Sequence, residues 1–248
     1  TCAGAASDAD TCFNVAIGYC AGVALNEGDN NVIIGKCSGE ALTSGSSNVL
    51  LGHGAGCNLT TATSTIIIGQ EAGRRTTSQD NSIMIGRQAG TNYFGGNGGS
   101  VMIGRGAGKG VSCNTGDRNT FIGTYAGANN CSGSYNTFIG ESAGQFAGVN
   151  AGGIYIQSCC NVAIGYEAGK NVRGKWNISI GYAAGHKASS AVSSTCSSGP
   201  GNIVMGHKSG CSITTGQYNQ FFGTYSGKCV TTGSGNISLG YCVGDNVS

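Results

Sequence analysis

The side chains best suited to acid–base, nucleophilic or metal chemistry in this chain are three histidines, His53, His186 and His207, and thirteen cysteines. Their spacing supports none of those reactions. His53 and His207 hold the same place in a repeat but lie eight repeats apart, so each is expected to be a solvated side chain. The cysteines form no CxxC pair and lack zinc-site spacing. The glycine-rich stretch Gly95 to Gly99 is not followed by the Lys-Ser/Thr that a phosphate-binding loop requires. An enzyme needs a convergent acid, base or nucleophile, and the sequence therefore predicts a non-enzyme with no cofactor and no metal. Thirteen Lys and Arg against eleven Asp and Glu give a net charge of +2, too balanced for a nucleic-acid or anionic-membrane footprint. No run of apolar residues is long enough to span a bilayer as a helix. The chain opens on Thr1 without Met, as expected of a processed or excised segment.

Any site must be positioned by a repeat. Thirteen times a Gly is followed four residues later by a second Gly, within the template Asn-x-x-Ile-Gly-x-x-Ala-Gly; the first glycines run from Gly18, Gly35 and Gly52 to Gly223 and Gly240, most often 17 residues apart. A short fixed period is the mark of a solenoid. The 47 glycines and scarcity of charge do not imply disorder, because Val/Ile runs recur on schedule between them. The sequence predicts an all-β parallel β-solenoid of about 13 coils, with a lead-in over 1–13 and a single domain over 14–248. Two connectors, 145–160 and 186–201, are about twice the usual length. Ile154-Tyr155-Ile156 suggests a bulged or extra rung in the first, whereas the serine-rich second is expected to be a protruding loop.

Four residues before each key Gly stands Asn in ten repeats, from Asn14 and Asn31 to Asn219 and Asn236, and Thr65, Ser82 or Ser100 in the others. An inward ladder bonding backbone at a turn is the expected role. Between it and the Gly lies a three-residue strand. Side chains alternate along a strand, and the first and third, apolar except for Thr120, Thr137 and Gln220, are assigned to the coil's own core. The middle column then faces outward: Ile33, Leu50, Ile67, Met84, Met102, Phe121, Phe138, Val204 and Phe221, interrupted by Ala16, Ala163, Ser179 and Ser238. A greasy outward column calls for a partner surface, so it is the expected self-association face. The alternative is a wider coil whose second sheet folds over it.

The residue after the key Gly forms the other column of interest. It includes Tyr19, Arg87, Arg105, Tyr166, Tyr182, His207 and Tyr241, either a ligand-facing ladder for glycans or another fibre or a solvated edge. Cys20 and Cys37 hold equivalent places in successive repeats, and Cys211 and Cys229 nearly so. They are candidates for disulfide staples, although parallel side-chain vectors strain such a bond; small buried fillers are the other reading. Asn58-Leu59-Thr60 is the best-placed of five glycosylation sequons. Neither end of the repeat array carries a recognisable cap, from which stacking on another copy or on a neighbouring module is expected.

The Asn-x-Val-x-Ile-Gly strand followed by small residues resembles the β-roll heads of trimeric autotransporter adhesins. Asn119-Thr120-Phe121-Ile122-Gly123-Thr124-Tyr125-Ala126-Gly127, Cys113 to Gly116 and Asn219-Gln220-Phe221-Phe222-Gly223 are more closely similar to glycine-rich repeats of tail-fibre proteins from phages of marine cyanobacteria. The resemblance covers Asn14 to Gly244. It implies a left-handed coil and a trimeric, surface-exposed fibre. The expected function is a structural component of an extracellular or virion filament, self-associating as a homotrimer or head to tail. The alternatives are an adhesin recognising a host surface glycan and, third, an ice-binding surface on its Thr pairs.

Overall fold

The computed structural model describes Gly4 and residues 12–94, 98–110, 116–130, 132–148, 158–186 and 200–244. The expected strand at 154–156 and the body of the second long connector lie outside these residues. The chain divides into two compact units, Thr1–Arg118 and Asn119–Ser248. The first carries β1 (Val15–Ile17), β2 (Val32–Ile34), β3 (Val49–Leu51), β4 (Ile66–Ile68), β5 (Ile83–Ile85) and β6 (Val101–Ile103). The second carries β7 (Thr120–Ile122), β8 (Thr137–Ile139), β9 (Val162–Ile164), β10 (Ile178–Ile180), β11 (Ile203–Met205), β12 (Gln220–Phe222) and β13 (Ile237–Leu239). Within each unit every strand pairs parallel to the next in chain order and in register, so Ile33 lies beside Leu50 and Phe121 beside Phe138. The described residues contain no helix. The protein is a parallel β-solenoid with a repeat of roughly 17 residues.

The glycines close the coil. The key Gly adopts φ between +121° and +135°, a region L side chains rarely enter. A Cβ on Gly35 would also stand 2.5 Å from the carbonyl oxygen of Gly52 in the next coil. The second Gly gives way to the interior, since a Cβ on Gly73 would lie 2.8 Å from Cδ1 of Ile67. Tight turns follow, with the Ala55 N–H donating to Gly52 O at 3.2 Å and the Leu59 N–H to Gly56 O at 2.9 Å. Adjacent coils are joined outside the strands as well, as in Gly54 N–H to Lys36 O and Gly39 N–H to Ala55 O, both 2.9 Å.

The asparagines form the expected inward ladder. In the first unit the backbone and side-chain N–H groups of Asn31 both donate to Oδ1 of Asn14, at 2.8 and 3.1 Å, while Nδ2 also donates to Gly45 O at 2.8 Å. Asn48 repeats this on Asn31, and the Thr65 N–H ends the amide run on Asn48 Oδ1 at 3.0 Å. In the second unit it runs without a break from Asn119 through Asn136, Asn161, Asn177, Asn202 and Asn219 to Asn236. Wherever asparagine follows asparagine, the amide oxygen receives two donors from the following coil. From Asn119 to Asn219 these amides are thereby paired in a buried setting, where an unpaired one costs about 1–3 kcal/mol.

The strand faces are opposite to the sequence expectation. Ile33, Leu50, Ile67, Met84, Met102, Phe121, Phe138 and Phe221 are fully inaccessible and Val204 nearly so; the first and third residues of each strand point outward. The reason is the strand's own period. The inward Asn stands two residues before the middle position, and alternation sends both to the same side. A second interior file stands seven residues after the key Gly and includes Leu25, Leu42, Leu59 and Tyr93, then Val172, Ile213 and Val230. Val204, Ile213, Phe221 and Val230 meet in one cluster, and the Phe121 and Phe138 rings stack at 5.3 Å.

The nine described cysteines, Cys20, Cys37, Cys211 and Cys229 among them, are free thiols. Cys20 and Cys37 stand in register on stacked coils, where parallel side-chain vectors disfavour a disulfide; Cys211 and Cys229 are one position out of register. Burial and the Glu40 carboxylate push the Cys37 and Cys57 thiols up from their ordinary range, which disfavours the reactive thiolate.

Candidate functional site

The surface that replaces the expected association face is the outward side of the same strands. In the first unit its two columns read Val15, Val32, Val49, Ile66, Ile83, Val101 and Ile17, Ile34, Leu51, Ile68, Ile85, Ile103, without one polar side chain. In the second, Thr120, Thr137 and Gln220 alone interrupt an otherwise apolar pair of columns. These residues are half-buried by their neighbours or exposed, Ile17 to 58% and Ile34 to 36%. At about 4.8 Å per coil and roughly 10 Å across, each unit presents a face on the order of 300 Å². A continuous apolar patch of that size is comparable with the largest on ordinary monomers, where such patches are commonly functional.

The column after the key Gly takes two forms. In the first unit Tyr19, Arg87 and Arg105 are exposed. In the second, Tyr166 stacks on Tyr182 at 5.1 Å and 15°, Tyr182 on His207 at 5.2 Å and 19°, and His207 meets Tyr225 edge-on at 5.1 Å. Tyr225 in turn meets Tyr241 at 6.2 Å. Tyr166, Tyr182 and His207 thus cover part of one another's faces, which leaves a ligand less of the flat area that stacking needs, whereas the Tyr225 and Tyr241 contacts are edge-on.

Beside it lies a cleft of about 400 Å³ lined by Glu167, Tyr182, His186, Lys208, Cys211 and Lys228. Glu167 accepts from Lys170 Nζ at 2.6 Å and pairs with His186 Nε2 at 3.2 Å. The hydrogen bond from Lys170 and the nearby positive groups hold its carboxyl below the usual range, which suits an ionised acceptor and not a proton donor. Among the described residues no group of three His, Cys, Asp or Glu is placed to hold a metal ion. Asn58 is exposed on the turn before buried Leu59. Comparison of the chain with protein-family models, curated proteins and solved structures gives no significant match.

A third column escaped the sequence reading. The residue just before the ladder Asn turns outward at a left-handed corner, with φ of 60° at Tyr135, 60° at Trp176 and 56° at Tyr218. Exposure there is 55%, 60% and 59%. Its signal was available, since an inward Asn puts its predecessor outside.

Proposed function

We propose that this chain is a structural component of an extracellular or virion fibre that self-associates laterally through the outward face of its strands. The observation that carries the reading is the uninterrupted Val, Ile and Leu surface of β1 to β6, whose uniformity contrasts with the varied interior column. An interior tolerates Ala, Ser, Met or Phe as long as its two files fill the coil. A surface kept free of charge over successive coils is suited to cover by another apolar surface. A second copy of the chain fits best, because its own columns repeat at the same coil spacing and can interdigitate with those of a unit. The faces of the two units add up to roughly 600 Å² per chain, which for two chains reaches the lower end of stable interfaces.

The test is mass in solution. Analytical ultracentrifugation of the 24.7 kDa chain should give a multiple of that mass, a trimer being the expected one. Ile68→Lys and Ile180→Lys should reduce it to the single-chain value with an unchanged β circular-dichroism spectrum. A parent chain that is monomeric at tens of micromolar would refute lateral association.

A further inference from the structure

We infer that the corner column preceding the asparagine ladder in the second unit is a stacking platform for an extended β-linked polysaccharide, with Trp176 and Tyr218 as its principal contacts and Tyr135 in line with them. Successive coils place Tyr135, Cys160, Trp176, Gly201 and Tyr218 at this corner, as the strand register from β8 to β12 requires. Aromatic residues thus recur at every second coil, their backbone positions about 9.6 Å apart, with a small residue between. That alternation separates this column from the Tyr166–Tyr182 stack, where rings on adjacent coils cover each other.

Gly201 contributes directly to the arrangement. A Cβ at this position would stand 2.7 Å from Cδ1 and 3.0 Å from Cε1 of Tyr218, so the Tyr218 ring leans across the neighbouring coil over bare backbone. The corner is also rigid. Trp176 and Tyr218 are each followed by a ladder asparagine locked to the preceding coil, Asn177 at 2.9 Å and Asn219 at 3.0 Å. Their own N–H groups donate to Cys159 O at 3.3 Å and Pro200 O at 3.1 Å. Lys175, half-buried, and Gln217, exposed, precede the two rings in the chain.

The repeat selects the ligand class. In an extended β-1,4-linked chain successive pyranoses alternate by a half-turn, so the same apolar C–H face recurs once per disaccharide, at a rise close to two coil steps. An α-1,4-linked chain coils and cannot keep that face over a straight row. Flat aromatic side chains with polar neighbours suit such partly apolar, hydroxyl-rich faces. The platform stands at the corner, off the strand face assigned to self-association, and does not depend on that assignment.

Trp176 is the only tryptophan in the chain, and its emission therefore reports the platform directly. Titration with cellohexaose or chitohexaose should change that emission saturably, whereas maltohexaose should not. Tyr218→Ala, read by the same tryptophan, should weaken binding roughly tenfold. Trp176→Ala should abolish the heat of binding in calorimetry, and Tyr182→Ala should leave affinity unchanged. Circular dichroism and ultracentrifugation on each variant separate a folding or assembly defect from a lost contact. The inference is overturned if neither β-linked hexasaccharide alters the emission at millimolar concentration, if maltohexaose acts equally, or if folded Tyr218→Ala binds like the parent. A monomeric chain that still binds would refute lateral association and leave the platform standing.

Discussion

Replacing Ile67 by Ala should destabilise the first unit by about 4 kcal/mol, and replacing its neighbour Ile66 by Ala by only about 1 kcal/mol. Ile67 is fully inaccessible, and the change removes Cγ1, Cγ2 and Cδ1. At about 0.8 kcal/mol per buried carbon the transfer loss is about 2.4 kcal/mol. A cavity term of about 1–2 kcal/mol adds to it where the surroundings cannot collapse. Collapse is restricted here. The main chain around Ile67 is fixed by hydrogen bonds from Ile66 N–H to Ser82 O at 2.9 Å and from Gly69 N–H to Leu51 O at 2.8 Å, while Gly56 and Gly73 already fit closely around its Cδ1. Ile66 points outward and is only half-buried, so its truncation forfeits part of one side chain's transfer energy. Urea unfolding followed by far-ultraviolet circular dichroism, at concentrations where the chains are single, measures both. An Ile66→Ala loss equal to or larger than that of Ile67→Ala would refute the assignment of strand faces.

Asn161→Ala deletes the amide that receives the Asn177 N–H and Nδ2 and that donates to Gly174 O and Ser158 Oγ. A loss of about 3 kcal/mol is expected, with exposure of the Asn177 amide detectable by hydrogen exchange. Gly35→Ala meets both an unfavourable φ and the Gly52 carbonyl; it should cost more than about 4 kcal/mol and yield insoluble or partly unfolded protein on expression. Glu167→Gln probes the depressed carboxyl. A lowered folded-state value means stability that is present above the unfolded carboxylate range and is lost as pH falls through the folded value. The parent should therefore exceed the variant by well under 1 kcal/mol at neutral pH, given partial exposure, and the two should converge in acid.

The coil was legible because its constraints are local. Gly35 needs a conformation and a closeness to Gly52 that no other residue supplies, and the Asn column announces a turn-bonding ladder. The outward and inward faces were misassigned because apolarity was used as the criterion where both faces are apolar. Ala16, Ser179 and Ser238 in the middle column look like surface residues, yet they are interior positions in a coil thin enough for glycine and small side chains to fill. Counting by two from the inward Asn resolves the ambiguity, and the same count finds the corner column of Trp176 and Tyr218. The disulfide expectation failed on direction: Cys20 and Cys37 share a column, but stacking fixes their separation without turning them toward each other. The Tyr166, Tyr182 and His207 stack follows from register alone, whereas its loss of ring-face area depends on torsions that sequence does not carry.

The amide ladder has a consequence for how such a chain changes length. Where asparagine follows asparagine, each gives its oxygen to the following coil and its backbone N–H to the one before, while its Nδ2 donates to both, so a whole coil can be duplicated or deleted there and the flanking coils meet an identical junction. Growth or shortening by complete repeats leaves every remaining bond of the ladder intact, while an insertion of any other size must be looped out between coils. Length is thus a free variable of this architecture, adjustable without redesign of its interior.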